Sequence, residues 1–176
     1  LWGTNLKYQF APDWSFGVGV YEVNPDNVKT DSDSDGFNLD MDNVEGATIP
    51  VELAWKPKLA TFNGLPGEYK LGALYSTAEA KDVGTSGEIH DGKYSFWLNA
   101  QQQLTQHGAD PKRGLYISFN GVINDRDTTA VESTQQLALW YKGPFDSRPN
   151  DSIGFGLANY VVNDRVTDKQ IATNEG

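Results

Sequence analysis

No cysteine occurs among these 176 residues, and that absence removes disulfides, thiolate catalysis and cysteine-based zinc sites together. No apolar run approaches the ~20 residues that a bilayer-spanning helix needs, and the mean hydropathy is −0.53. A helical membrane protein is therefore excluded. A membrane β-barrel is not, because its strands alternate and average out to polar. Basic residues are scarce: 14 Lys and Arg against 24 Asp and Glu leave a formal charge of −10. Such a surface lacks the clustered cations that replace counterions on nucleic acid. The opening "LWGTNLKYQF" holds neither an initiator Met nor a signal peptide, which predicts a mature or partial chain, read here as one segment over residues 1–176.

What is present most conspicuously is the stretch "DSDSDGFNLDMD", Asp31 to Asp42. It has the D-x-D-x-D-G opening of a calcium loop, with glycine at the sixth position and a carboxylate at the twelfth. As ligands it would offer Asp31, Asp33, Asp35 and Asp42, with the carbonyl of Phe37. Against an EF-hand, the preceding "SFGVGVYEVNP" reads as a strand and not a helix, the twelfth position is Asp and not Glu, and Asn38 stands where an apolar residue usually pins the loop. A solvated turn-forming loop accounts for the same residues.

Period-two alternation runs through the rest of the chain. In "KYSFWLNAQQQLT", Tyr94, Phe96, Leu98, Ala100 and Leu104 fall on one face, and Ser95, Trp97, Asn99, Gln101 and Gln103 on the other. In "GATIPVELAWKP", Ala47, Ile49, Val51, Leu53 and Trp55 oppose Thr48, Glu52 and Lys56. "NLKYQF", "GEYKLGALYST", "RGLYISFNGVIN", "STQQLALWYKG" and "SIGFGLANY" behave alike, the last placing Gly154, Gly156 and Ala158 on its second face. "SFGVGVYEV" fits either register. About eight successive strands are predicted, with no helix between them.

Short Pro, Gly and Asp turns alternate with longer polar connections, as in an antiparallel meander whose two ends face different environments. Strands of roughly ten residues suit a tilted membrane crossing, and Trp55, Tyr69, Tyr75, Tyr94 and Tyr141 sit near strand ends where interfacial girdles fall. The pattern favours an all-β, up-and-down transmembrane barrel over a soluble β-sandwich.

Particular residues then carry a resemblance. "GVGVYEVNP", "PGEYKLGALYST", "RGLYISF" and above all "YKGPFDSRPNDSIGFG" resemble the carbohydrate-selective porins of the OprB family, in order across nearly the whole chain. The resemblance implies a barrel of about sixteen strands in the outer membrane of a Gram-negative bacterium, passing glucose and related sugars by diffusion without a catalytic step or required cofactor. It also implies that these eight strands are the later part of a longer barrel, lacking its first and final strands. Lipid and lipopolysaccharide are the implied surroundings, with room for an oligomer.

A neutral sugar offers hydroxyls and apolar C–H faces, so a selective lumen needs amides, charges and an aromatic face. The polar face supplies Glu52, Lys70, Trp97, Asn99, Gln101, Asn120, Gln136 and Trp140. Trp97 with Asn99 and Gln101 is the leading cluster, with an aromatic that merely fills the barrel wall as its alternative, while Glu52 and Lys70 on consecutive strands suit an ion pair in the wall better than contact with a sugar. Arg148 and Asp151 are read as turn architecture, and His90 and His107 as solvated loop residues. The rival class is a soluble β-sandwich, a calcium-dependent lectin or a glycosidase. The latter needs two flanking carboxyls, and Glu52 has no evident partner.

Overall fold

The structure is a computed structural model that describes residues 2–24 and 44–174. Among these described residues eleven strands appear in chain order: β1 (Gly3–Ala11), β2 (Trp14–Val23), β3 (Gly46–Trp55), β4 (Lys58–Leu59), β5 (Leu65–Ser76), β6 (Ala80–Lys81), β7 (Ile89–His90), β8 (Lys93–Gln103), β9 (Gly114–Asn124), β10 (Val131–Lys142) and β11 (Ser152–Val162), followed by helix α1 (Asp164–Asn174). Eight of them are long, and each pairs antiparallel with its sequence neighbours in the order β1-β2-β3-β5-β8-β9-β10-β11. This is the meander that the alternation predicts. β4 extends the β3–β5 turn, and β6 with β7 forms a small separate ribbon.

Alternation turns one row of side chains outward and the next inward on every long strand. The outward row is apolar and uncovered: Leu71 is 59%, Ile123 60% and Phe155 69% exposed. Among the described residues the buried apolar side chains are only Ala54 and Ala78. A soluble sandwich needs that apolar face packed against a second sheet. The only second sheet among the described residues is the β6–β7 ribbon, so the lectin-like sandwich is corrected to a single-layer wall. Such a wall is stable when its outer face meets hydrocarbon instead of water.

The ambiguous segment "SFGVGVYEV" acquires a facing from its partners. Val18 pairs with outward Val51, and Gly17 with inward Glu52. The β2–β3 ladder is interrupted between Val18 and Tyr21, opposite Pro50, whose ring nitrogen has no hydrogen to donate.

At the short-turn end of the outer face the aromatics form a belt. Trp14 stacks on Trp55 with ring centroids 5.5 Å apart, and Trp55 meets Tyr69 at 5.5 Å. The Tyr69 hydroxyl donates to Gln102 Oε1 at 2.8 Å. Gln102 lies on the apolar row, and it is buried beneath that belt with its amide donating to the carbonyls of Leu65, Pro66 and Gln103. Tyr75 and Tyr94 occupy the opposite rim. Amphipathic rings at both levels are the anchoring pattern of a membrane-spanning sheet.

The outer edges of β1 and β11 have no neighbour among the described residues. In lipid each unpaired backbone group costs several kcal/mol, so both edges call for further strands.

Beyond β11 the chain forms α1, a helix that the strand alternation does not announce. Asn163 is fully buried and caps the helix, its Oδ1 accepting the Arg165 N–H at 3.1 Å. Its amide donates to the carbonyls of Arg126 and Thr129.

Candidate functional site

The inward residues meet side by side because the register aligns them. Lys70 lies opposite Asn99, Asn99 opposite Asn120, and Asn120 opposite Gln136. One step toward the longer loops, Gly72 lies between Glu52 and Trp97. One step toward the short turns, Glu68 faces Gln101.

Contacts within this band are specific. Trp97 Nε1 donates to Glu52 Oε2 at 3.1 Å. Lys70 Nζ stands 3.9 Å from Glu52 Oε1 and 3.3 Å from Glu68 Oε1, and Lys56 Nζ is 3.2 Å from the same Glu68 oxygen. Asn120 Nδ2 donates to Gln136 Oε1 at 3.3 Å, and Gln136 Nε2 to the Tyr160 hydroxyl at 3.4 Å. An open groove of about 350 Å³ runs past Lys70, Asn99, Gln101, Asn120 and Gln136. Two carboxylates and two ammonium groups balance there, beside a row of amides. Such a surface exchanges hydrogen bonds with a neutral polar solute and has no net charge to hold an ion tightly.

Trp97, Asn99 and Gln101 therefore share a face as their spacing implies, and Glu52 and Lys70 do pair. The pairing is looser than the Lys70–Glu68 contact, and it leaves Glu52 committed to Trp97. Trp140 is not part of this cluster. It stacks on Tyr116 closer to the short turns, with centroids 5.4 Å apart and planes 10° from parallel. Glu68 escaped the sequence reading although its parity with Lys70 places it on the same face. Asp31, Asp33, Asp35, Asp42 and Phe37 lie outside the described residues.

Arg148 and Asp151 pair within their turn at 3.2 Å, and the Arg148 guanidinium sits 5.2 Å from the centre of the Phe145 ring. The two histidines are engaged, which corrects their reading as solvated. His107 Nδ1 is 2.8 Å from the Tyr141 hydroxyl. His90 Nε2 is 2.9 Å from Asp82 Oδ2, and that oxygen also accepts from Arg165 Nη2 at 2.6 Å. Asp82 Oδ1 accepts the Gly84 and Thr85 amides at 2.8 and 2.6 Å. Arg165 Nη1 reaches Asp127 at 3.1 Å, so the network joins the β5–β8 and β9–β10 connections to α1. Asp82, Glu88 and His90 bring ligand-type atoms within 4.8 Å of one another, but the guanidinium already holds the Asp82 carboxylate, making this an ion-pair latch. The hydrogen bond from Arg165, then that from His90, holds the Asp82 carboxyl far below the usual carboxylate range. The Asp82 hydrogen bond raises His90 above its ordinary value.

A polar, charge-balanced inner face on a single antiparallel sheet, with a bare apolar outer face and aromatic rims, is the wall of a membrane β-barrel porin. The chain belongs to the carbohydrate-selective porin, OprB family, whose model matches residues 1–175. It is 81% identical over 175 residues to the "Putative porin QuiX" of Acinetobacter baylyi and 43% identical over 186 residues to Porin B of Pseudomonas aeruginosa, covering 99% of this chain and 40% of each relative. Among solved structures, the high-pH form of Pseudomonas putida OprB superposes with a TM-score of 0.89 at 42% identity, over 99% of this chain and 43% of that one. Its low-pH form gives 0.61 at 35% identity, over 90% and 40%. The chain thus spans about two fifths of the length of these relatives. Its family places it in the outer membrane of a Gram-negative bacterium.

Proposed function

We propose that this chain builds part of the wall of a pore through which glucose and related neutral sugars diffuse passively, with no catalytic step. The observation that carries the proposal is the inward row Lys70, Asn99, Asn120 and Gln136, with Trp97 and Glu52 one step above it and Gln101 one step below. Amides both donate and accept, so they match hydroxyls in any orientation. Each sugar–amide bond replaces a sugar–water bond at a net gain of only about 1 kcal/mol, and conduction requires a solute that is recognised yet released. Trp97 supplies the apolar face on which the C–H side of a pyranose stacks. The Glu–Lys pairs keep this stretch of wall neutral.

Family membership supports the carbohydrate reading, and likeness to Porin B supports the pore. The sequence of the Asp31 to Asp42 loop supports a second role at the long-loop rim, where its carboxylates would meet calcium or the divalent ions that bridge lipopolysaccharide.

Liposome swelling with the complete barrel tests the proposal. Glucose should enter faster than the anion gluconate, which is nearly the same size. Equal entry of the two would contradict selection for neutral sugars.

A further inference from the structure

We infer that Tyr116 and Trp140 form a second sugar-binding station, nearer the short-turn mouth than Trp97, where one pyranose lies face-on against the Trp140 indole. This rests on the sugar-passage reading above.

Four observations converge. Tyr116 is fixed, its hydroxyl donating to the Lys112 carbonyl at 2.9 Å, and Trp140 is stacked on it at 5.4 Å. The neighbours of Trp140 across the ladder on β11 have no side chains: Gly154 lies directly opposite, and Gly156 opposite Ala138. The space beside the indole is therefore not filled from that strand. The Trp140 N–H donates to no protein acceptor among the described residues, whereas Trp97 spends its own on Glu52. The indole nitrogen is not buried, so it is open to a sugar hydroxyl from the lumen. Lys142, two residues along the same face, makes no ion pair among the described residues and adds a cation for sugar oxygens.

The station is distinct from the mid-wall band. Val122 is the cross-strand partner of Trp97, and Tyr116 is six residues away along β9. At about 3.3 Å per residue the two aromatic levels are roughly 20 Å apart, more than one pyranose spans. A sugar crossing the pore is handed from one ring to the other through the amide row.

The test is glucose block of single-channel current through the complete barrel, with sugar added from one side at a time. Trp140→Ala should weaken block from the short-turn side about tenfold and block from the long-loop side, where the sugar meets Trp97 first, by much less. Gly156→Val keeps both rings and fills the space beside them. A Cβ there makes only ordinary contacts, at 3.6 Å from the Leu137 carbonyl oxygen and 3.7 Å from the Ala138 Cβ, and it should produce the same unequal loss, larger from the short-turn side. No shift in either variant, or an equal shift from both sides, overturns the second station while the Trp97 reading stands. A wild-type barrel that glucose never blocks from either side removes the sugar reading and this station with it.

Discussion

Trp97 lies so close over Gly72 that a Cβ on the glycine would stand 2.1 Å from the indole ring. The pair is joined across the β5–β8 ladder, and the ring is held from its edge by Glu52. Glycine at position 72 is therefore the recess that sets the ring's position along the pore.

Gly72→Val should lift Trp97 out of that recess. The expected outcome is roughly tenfold weaker glucose block, equal to that of Trp97→Ala, at a stability cost of about 1–3 kcal/mol from overpacking. Glucose-titrated conductance measures the first, and heat-dependent gel migration of the barrel the second.

Glu52→Gln keeps the side-chain shape and the acceptor for Trp97 while deleting one charge. Lys70 would then answer only to Glu68, 3.3 Å away, and the mid-wall would turn net positive. The reversal potential in a potassium chloride gradient should move toward anion preference, by an amount that fades at high salt as screening grows.

The Asp82 latch gives the long-loop end a pH dependence. His90 is raised in the folded state, so its contribution is complete below the ordinary histidine value of ~6.5 and disappears as pH rises through the higher folded value. Asp82 is depressed, so its contribution is complete above the ordinary aspartate value of ~4 and disappears only as pH falls through its lowered value. The latch is tightest between those limits. Hydrogen exchange at Gly84 and Thr85, corrected for intrinsic rates, should show protection falling on the alkaline side in the wild type. His90→Gln should flatten that fall, and Arg165→Ala should lower protection across the whole range.

The eight long strands and most of their facing were legible because a period of two writes the two environments of a wall directly into the sequence. The bare apolar face also explains why Leu71 and Phe155 alternate so cleanly with smaller or polar residues. Register was not legible, and it alone places Trp97 over Gly72 and Lys70 beside Asn99. Helix α1 was hidden because "DRVTDKQIATN" carries no broad apolar stripe. Its anchors are the Asn163 cap and the Arg165–Asp82 pair, the latter 83 residues apart in sequence. Two of the stretches that resemble the porin family acquire a joint meaning only in three dimensions. Arg113 of "RGLYISF" donates from Nε and Nη2 to the carbonyl of Gly143 in "YKGPFDSRPND", at 3.0 and 2.7 Å. Gly143 has φ +63, a conformation that glycine adopts freely.

Whether this inner face recognises neutral sugars in passing is decided by single-channel conductance of the complete barrel in a planar bilayer, titrated with glucose in the wild type and in Trp97→Ala. The wild type should show saturable block and the variant about tenfold weaker block, with open-channel conductance in plain salt little changed. Current indifferent to glucose, or block that is identical in the two proteins, would contradict that recognition.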